Sequence, residues 1–177
     1  GFVGYEPGST GIATVTESGS QWNNTSRLYV GHSGSGTLNV EAGGVVANTS
    51  ESVYLGYFSG STGIVTVTGS GSQWNNSSYL NVGRSGSGTL NIESAGVVTN
   101  TYGYIGEDSG STGVVTVTGA NSQWNNSSQL YVGYEGVGRM NVEAGGVVSN
   151  TYGYITGTTN GGFSGWNGSA HADVIAS

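Results

Sequence analysis

The chain has no cysteine, no lysine and a single proline, and only 7% of its 177 residues are charged. The lack of cysteine excludes a disulfide framework and leaves the redox compartment unreadable from the sequence. Arg27, Arg84 and Arg139 are the only strong bases, and ten acidic residues outweigh them to a net charge of −7. Nucleic-acid binding needs a basic surface to neutralise phosphates, so that class of partner is excluded. Anionic membrane surfaces are excluded on the same ground, and no segment reads as a membrane anchor. No amphipathic segment of helix length occurs either, which rules out a doubly wound α/β fold.

Catalytic punctuation is also missing. No GxSxG, HExxH or paired-carboxylate signature is present, and His32 and His171 have no repeated or convergent acidic company. The three arginines fall at different points of the repeat described below. Polysaccharide lyases built on β-helices need clustered carboxylates and a basic residue that takes a proton. Neither is assembled here, so the chain reads as a non-enzyme with no cofactor. Calcium requires several converging oxygens, and the GGxGxD calcium repeat does not appear, so no metal site is expected. Asn-x-Ser/Thr triplets at Asn23, Asn75 and Asn125 read as turn composition.

What the chain has instead is glycine, 35 residues of it, and repetition. The words SGSQWNN (residues 18–24 and 70–76) and ANSQWNN (residues 120–126) place Trp22, Trp74 and Trp124 at intervals of 52 and 50 residues. A catalytic motif is normally written once, whereas one repeated at a steady interval is architecture. The 50-residue unit is itself two related halves, GIVTVTGSGSQWNNSSYLNVG (residues 63–83) and GTLNIESAGVVTNTYGYIG (residues 88–106). The structural period is therefore about 25 residues, with Gly11, Gly36, Gly63, Gly88, Gly113 and Gly138 opening successive units.

Each half-repeat holds three short strand patterns, such as TLNI, GVV and YGYIG, between Gly, Ser and Asn turns. In Val65-Thr66-Val67-Thr68 the valines share one face and the threonines the other. One unit cannot bury its apolar face alone, but stacked units share a continuous core. The expected fold is all-β: a parallel β-solenoid with about 25 residues and three strands per coil, six full coils and partial coils at the ends. At ~4.8 Å per coil the six span roughly 30 Å. The whole chain reads as one domain, with a partial coil over residues 1–10, six coils over 11–161 and a divergent segment over 162–177. Trp22, Trp74 and Trp124 are expected in the core, alternating up the stack with the smaller valines of the intervening coils.

The segment GTLNIESAGVVTNTYGYIGEDSGSTGVVTVTGANSQWNNSSQLYVG (residues 88–133) resembles the repeat associated with bacterial type V secretion autotransporters and PEP-CTERM surface proteins. The resemblance runs from Gly1 to about Ile155. It implies a secreted or surface-displayed bacterial β-helix, right-handed, of the passenger or stalk kind found in adhesin-like proteins. The family pattern supplies no catalytic residue. With no signal peptide, translocator barrel or anchor in the sequence, a mature or excised piece is expected.

Folding the sequence on its period turns residues into vertical columns. On strand one, Thr14, Asn39, Thr66, Asn91, Thr116 and Asn141 form one outward column, and Thr16, Glu41, Thr68, Glu93, Thr118 and Glu143 the next. The second spaces its carboxylates roughly 9.6 Å apart, with threonine between them. On strand three one column reads Phe2, Tyr29, Tyr54, Asn81, Tyr104, Tyr131, Tyr154. Two positions earlier come Arg27, Ser52, Tyr79, Tyr102, Gln129, Tyr152, and just past the closing glycine come Tyr5, His32, Tyr57, Arg84, Glu107, Tyr134. All eleven tyrosines fall in these three columns. Tyr29, Tyr54, Tyr79, Tyr102, Tyr104, Tyr131, Tyr152 and Tyr154 are therefore expected to form an outward ladder. It either stabilises neighbouring strands or offers a contact face for glycan or protein.

The expected role is a non-catalytic structural repeat of an extracellular or cell-surface bacterial protein. Residues 1–10 match the end of a coil, GYIGEDSGST at residues 103–112, and neither end reads as a cap. Head-to-tail stacking of copies into filaments is accordingly expected. The alternative is an adhesin-type module that binds glycan or protein through the tyrosine face.

Overall fold

In the computed structural model, which describes residues 1–156 and the backbone of Phe163–Ser164, the chain is a parallel β-solenoid of about six coils with three strands per coil and no helix among the described residues. The first sheet stacks Thr10–Thr16, Ser35–Glu41, Thr62–Thr68, Ser87–Glu93, Thr112–Thr118 and Val137–Glu143. The second stacks Gln21–Asn24, Val45–Asn48, Gln73–Asn76, Val97–Asn100, Gln123–Asn126 and Val147–Ser149. The third runs Phe2–Val3, Leu28–Val30, Val53–Leu55, Tyr79–Val82, Tyr102–Ile105, Gln129–Val132 and Tyr152–Ile155. Each strand pairs in parallel with its counterpart in the neighbouring coil, the inner strands on both sides and the end strands on one.

The strand-one register reproduces both outward columns. Asn91 faces Thr66 and Thr116, and Glu93 faces Thr68 and Thr118. The opposite faces of the same strands, Leu38, Val65, Leu90 and Val115 with Val40, Val67, Ile92 and Val117, are fully buried. Strand alternation thus sends a continuous apolar wall inward and a hydroxyl, amide and carboxylate wall outward.

The tryptophans alternate with valine as expected. Val46 pairs with Trp74, Trp74 with Val98, Val98 with Trp124, and Trp124 with Val148. Trp74 and Trp124 are 0% exposed. Trp22 packs against the same core but is only partly buried, since its strand Gln21–Asn24 is the edge of its sheet among the described residues. Glycine makes room for the indoles from the third sheet. A methyl at Gly103 would press on the Trp124 ring at 3.0 Å and on the Leu130 side chain at 2.8 Å.

Two residues past each tryptophan or its valine counterpart lies an inward asparagine: Asn24, Asn48, Asn76, Asn100 and Asn126, all buried. Buried amides are usually hydrogen-bonded; neighbouring coils supply partners for several of these, though not for Asn76. Trp124 Nε1 donates to Asn100 Oδ1 at 2.7 Å, Asn100 Nδ2 to Asn126 Oδ1 at 2.5 Å, and Trp74 Nε1 to Asn48 Oδ1 at 3.3 Å. The QWNN word therefore writes a polar ladder beside an apolar one.

The opening glycines do not supply the left-handed turns. Those fall at other positions, among them the glycine that closes strand three, such as Gly106 with φ 69°, and the turn residues Gly110 and Asn121. The opening glycine Gly113 is needed for closeness instead: a methyl there would overlap the Val82 carbonyl oxygen and lie 2.5 Å from the Gly106 nitrogen. Of the divergent segment at 162–177, Phe163–Ser164 pairs antiparallel with Tyr154–Ile155, so it does not continue the parallel winding. The remainder of that segment, with His171, lies outside the described residues.

Candidate functional site

The three strand-three columns converge on one side of the solenoid. Alternation within Tyr102–Ile105 turns Gly103 and Ile105 into the core and leaves Tyr102 and Tyr104 on the outer face. Because the strands are in register, rings of successive coils stack face to face. Centroids lie 5.0 Å apart for Phe2–Tyr29, 5.3 Å for Tyr29–Tyr54, 4.8 Å for Tyr104–Tyr131 and 4.7 Å for Tyr131–Tyr154. The column beyond the closing glycine clips onto this stack edge-on. Tyr57 meets Tyr29 and Tyr54 at 4.9 Å, and Tyr134 meets Tyr131 at 5.3 Å. Face-to-edge contact of this kind matches the quadrupoles of the rings.

That cover changes the character of the face expected from alternation alone. Tyr29 is buried, only 7% exposed, beneath His32 and Tyr57. Tyr54, Tyr102, Tyr104 and Tyr131 are half-buried, while Tyr79, Tyr152 and Tyr154 remain exposed. The column points outward, but neighbouring rings bury much of its area, so a good part of the ladder is cross-strand packing.

The ladder is interrupted once among the described residues. At the coil of Tyr79–Val82 the stacked position is Asn81, which pairs with Tyr54 below and Tyr104 above. In the same coil the edge-on position is Arg84, and in the next it is Glu107. The aromatic clip is replaced by an ion cluster, with Arg84 Nε 3.2 Å from Glu107 Oε2 and 3.3 Å from Asp108 Oδ2. Ser85 Oγ also donates to Asp108 Oδ2 at 2.6 Å. The guanidinium lies 5.8 Å from the ring centroids of both Tyr54 and Tyr57, within cation–π range. The missing rung leaves a notch of about 220 Å³ lined by Ser52, Tyr54, Tyr79, Asn81, Tyr104 and Glu107.

Burial sets the titration of this region. It pushes the Glu107 carboxyl above its ordinary value, with Arg84 opposing and the acidic neighbours Asp108 and Glu135 adding to the rise. Burial, followed by the neighbouring rings of Tyr131 and Tyr79, pushes Tyr104 up to about 12. Tyr131 is raised for the same reasons, burial first and then Tyr154. A raised tyrosine pKa means the fold favours the neutral phenol. Its contribution is fully present below the ordinary value of 10.0 and is lost as pH rises through about 12. Absorbance at 295 nm followed against pH should therefore show a late tyrosinate fraction that appears together with loss of the β-sheet circular dichroism. Tyr104→Phe should remove part of that fraction, and a single wave near pH 10 would show the ladder to be open to water.

No three His, Cys, Asp or Glu side chains lie close enough to share a metal ion among the described residues, and no helix there is long and apolar enough to cross a membrane. Asn81, Glu107 and Ser52 stand in the three columns of the sequence, but only the fold brings them together around one notch. Asn81 carries a sequence signal, as the single non-aromatic rung of its column, whereas the columns of Ser52 and Glu107 hold other non-aromatic residues. No protein-family model, curated protein or solved structure matches the chain, so its functional reading rests on the geometry of this face and of the coils.

Proposed function

We propose that the chain is a non-catalytic structural repeat module of an extracellular or surface-displayed bacterial protein, and that its coils stack end to end on further coils. The observation behind this is the exposed coil at the Thr10–Thr16 edge. Ala13, Val15 and Trp22, in register with the fully buried Leu38, Val40 and Val46, are only partly buried there. The strands Thr10–Thr16 and Gln21–Asn24 each have a partner on one side only among the described residues. In a solenoid each coil touches only its neighbours, so an open coil is stabilised by whatever coil is laid on it. Heterologous contacts of this sort do not close and therefore propagate. The extracellular setting is supported by the resemblance of the repeat to autotransporter and PEP-CTERM-associated sequences.

Light scattering over a concentration series, with negative-stain electron microscopy of the same samples, tests the stacking. Mass growing with concentration and fibres a few nanometres wide are expected. A mass fixed near 17.8 kDa throughout would overturn it. A second reading, an adhesin-type module that binds through the tyrosine face, is favoured by the exposed Tyr79, Tyr152 and Tyr154 beside the notch-bearing ladder.

A further inference from the structure

We propose that the notch at Asn81 is a binding subsite for one neutral hexopyranose unit of a glycan, which occupies the place of the missing aromatic rung. The walls set the shape of the occupant. Tyr54 and Tyr104 belong to coils two apart, so their attachment points are separated by roughly 9.6 Å. A ring placed midway has an aromatic face on either side at roughly 4.8 Å, inside the range over which rings pair. The notch, about 220 Å³, is smaller than the roughly 300–1,000 Å³ of drug-sized sites and suits a single ring.

The polar atoms set its chemistry. Asn81 is 3% exposed and its Nδ2 donates to the Val53 carbonyl at 3.4 Å, which leaves its Oδ1 buried without a donor. Glu107 Oε2 is also buried without a hydrogen bond; Arg84 Nε lies within charge-pairing distance but is not aligned to donate. The notch thus presents apolar walls over one oxygen without a donor, Asn81 Oδ1, while Glu107 Oε2 is held in the ion cluster by Arg84. A hexopyranose brings apolar C–H faces and hydroxyl donors around its edge, which suits both the walls and that oxygen. An aromatic side chain would fill the rung but leave Asn81 Oδ1 without a donor. A cationic ligand is repelled by the Arg84 guanidinium, which lies 5.8 Å from the Tyr54 ring centroid. An acidic sugar meets Glu107, while Arg84 is balanced by Glu107 and Asp108.

This inference rests on the second reading above, that the tyrosine face binds, and can fail separately from it. A single sugar unit of about a dozen heavy atoms is expected to bind with a Kd on the order of 1 mM. The test is saturation-transfer NMR on the full chain with methyl glycosides of glucose, galactose and mannose, and with p-cresol as the aromatic side-chain probe. At least one glycoside should receive saturation at its ring C–H protons. Asn81→Tyr, which restores the rung present in other coils, should weaken that binding at least tenfold while leaving the circular dichroism unchanged. Tyr104→Leu, which keeps bulk but removes the aromatic wall, should weaken it as well, and serves if the first variant misfolds. Glycoside binding untouched by both variants but lost in Tyr152→Ser would overturn the notch and keep the binding face. Binding of p-cresol alone, or of no glycoside at all, would overturn the subsite.

Discussion

Trp124→Ala is expected to cost about 3–5 kcal/mol, the range for deleting a large aromatic from a packed core. The indole is fully buried between Val98 and Val148, with Gly103 shaped to accept it, so no neighbour can collapse into the space without moving a backbone held by two parallel ladders. The truncation also strands Asn100 Oδ1, which receives the indole N–H at 2.7 Å inside the core. Trp124→Phe separates the two contributions: it keeps most of the volume and loses the hydrogen bond, for about 1–3 kcal/mol. Trp74→Ala should match Trp124→Ala, since Trp74 is buried equally and bonds Asn48. Trp22→Ala should cost less, because its coil is the open edge. Urea unfolding of the four variants tests the order. A solenoid can lose coils piecemeal, so hydrogen exchange of the coils flanking residue 124 accompanies the bulk curves. Equal losses for Trp22 and Trp124 would mean that the first coil is sealed in solution.

The period explains why so much of the architecture was legible. In a stacked repeat one alignment of the sequence with itself fixes strand pairing, register and face at once, so Thr66, Asn91 and Thr116 could be placed side by side from spacing alone. The Trp/Val alternation followed from the same alignment. What escaped depended on phase and on contacts between columns. Asn23, Asn75 and Asn125 read as turn composition because asparagine is common in turns, but they lie within the strands Gln21–Asn24, Gln73–Asn76 and Gln123–Asn126; the phase of QWNN, with the tryptophan inward, turns the second asparagine of each inward too. Tyr29 was read as exposed because alternation gives a direction but not the cover that His32 and Tyr57 provide from another column. The notch was present in the sequence as Asn81 among tyrosines. Its unpaired acceptor, Asn81 Oδ1, follows only from the fold, in which Val53 takes up the other end of the amide.

Gly113→Ala is expected to be among the most damaging single-methyl changes in the chain, at or above about 3 kcal/mol. Its backbone is not in the left-handed region, so the usual account of glycine at a corner does not apply; the cost comes from contact. The added methyl would overlap the Val82 carbonyl oxygen and crowd the Gly106 nitrogen and the Ile105 side chain at 2.5 and 2.8 Å. Both backbone groups are committed: Gly106 N donates to Val82 O at 2.9 Å, the bond that carries the strand-three ladder into the corner. Relief would require parting two coils at the point where sheet three turns into sheet one. Gly110→Ala is the control. Gly110 has φ 83° and nothing within 4 Å of a would-be Cβ, so only the conformational cost of about 1–2 kcal/mol applies. Thermal unfolding of the two variants beside the parent should therefore leave Gly110→Ala folded with a modestly lower midpoint. Gly113→Ala should be far less stable or fail to refold. Equal midpoints would show that the corner can open by the width of a methyl group, and the close approach of strand three to strand one would then be a property of individual coils with no bearing on how the stack is held together.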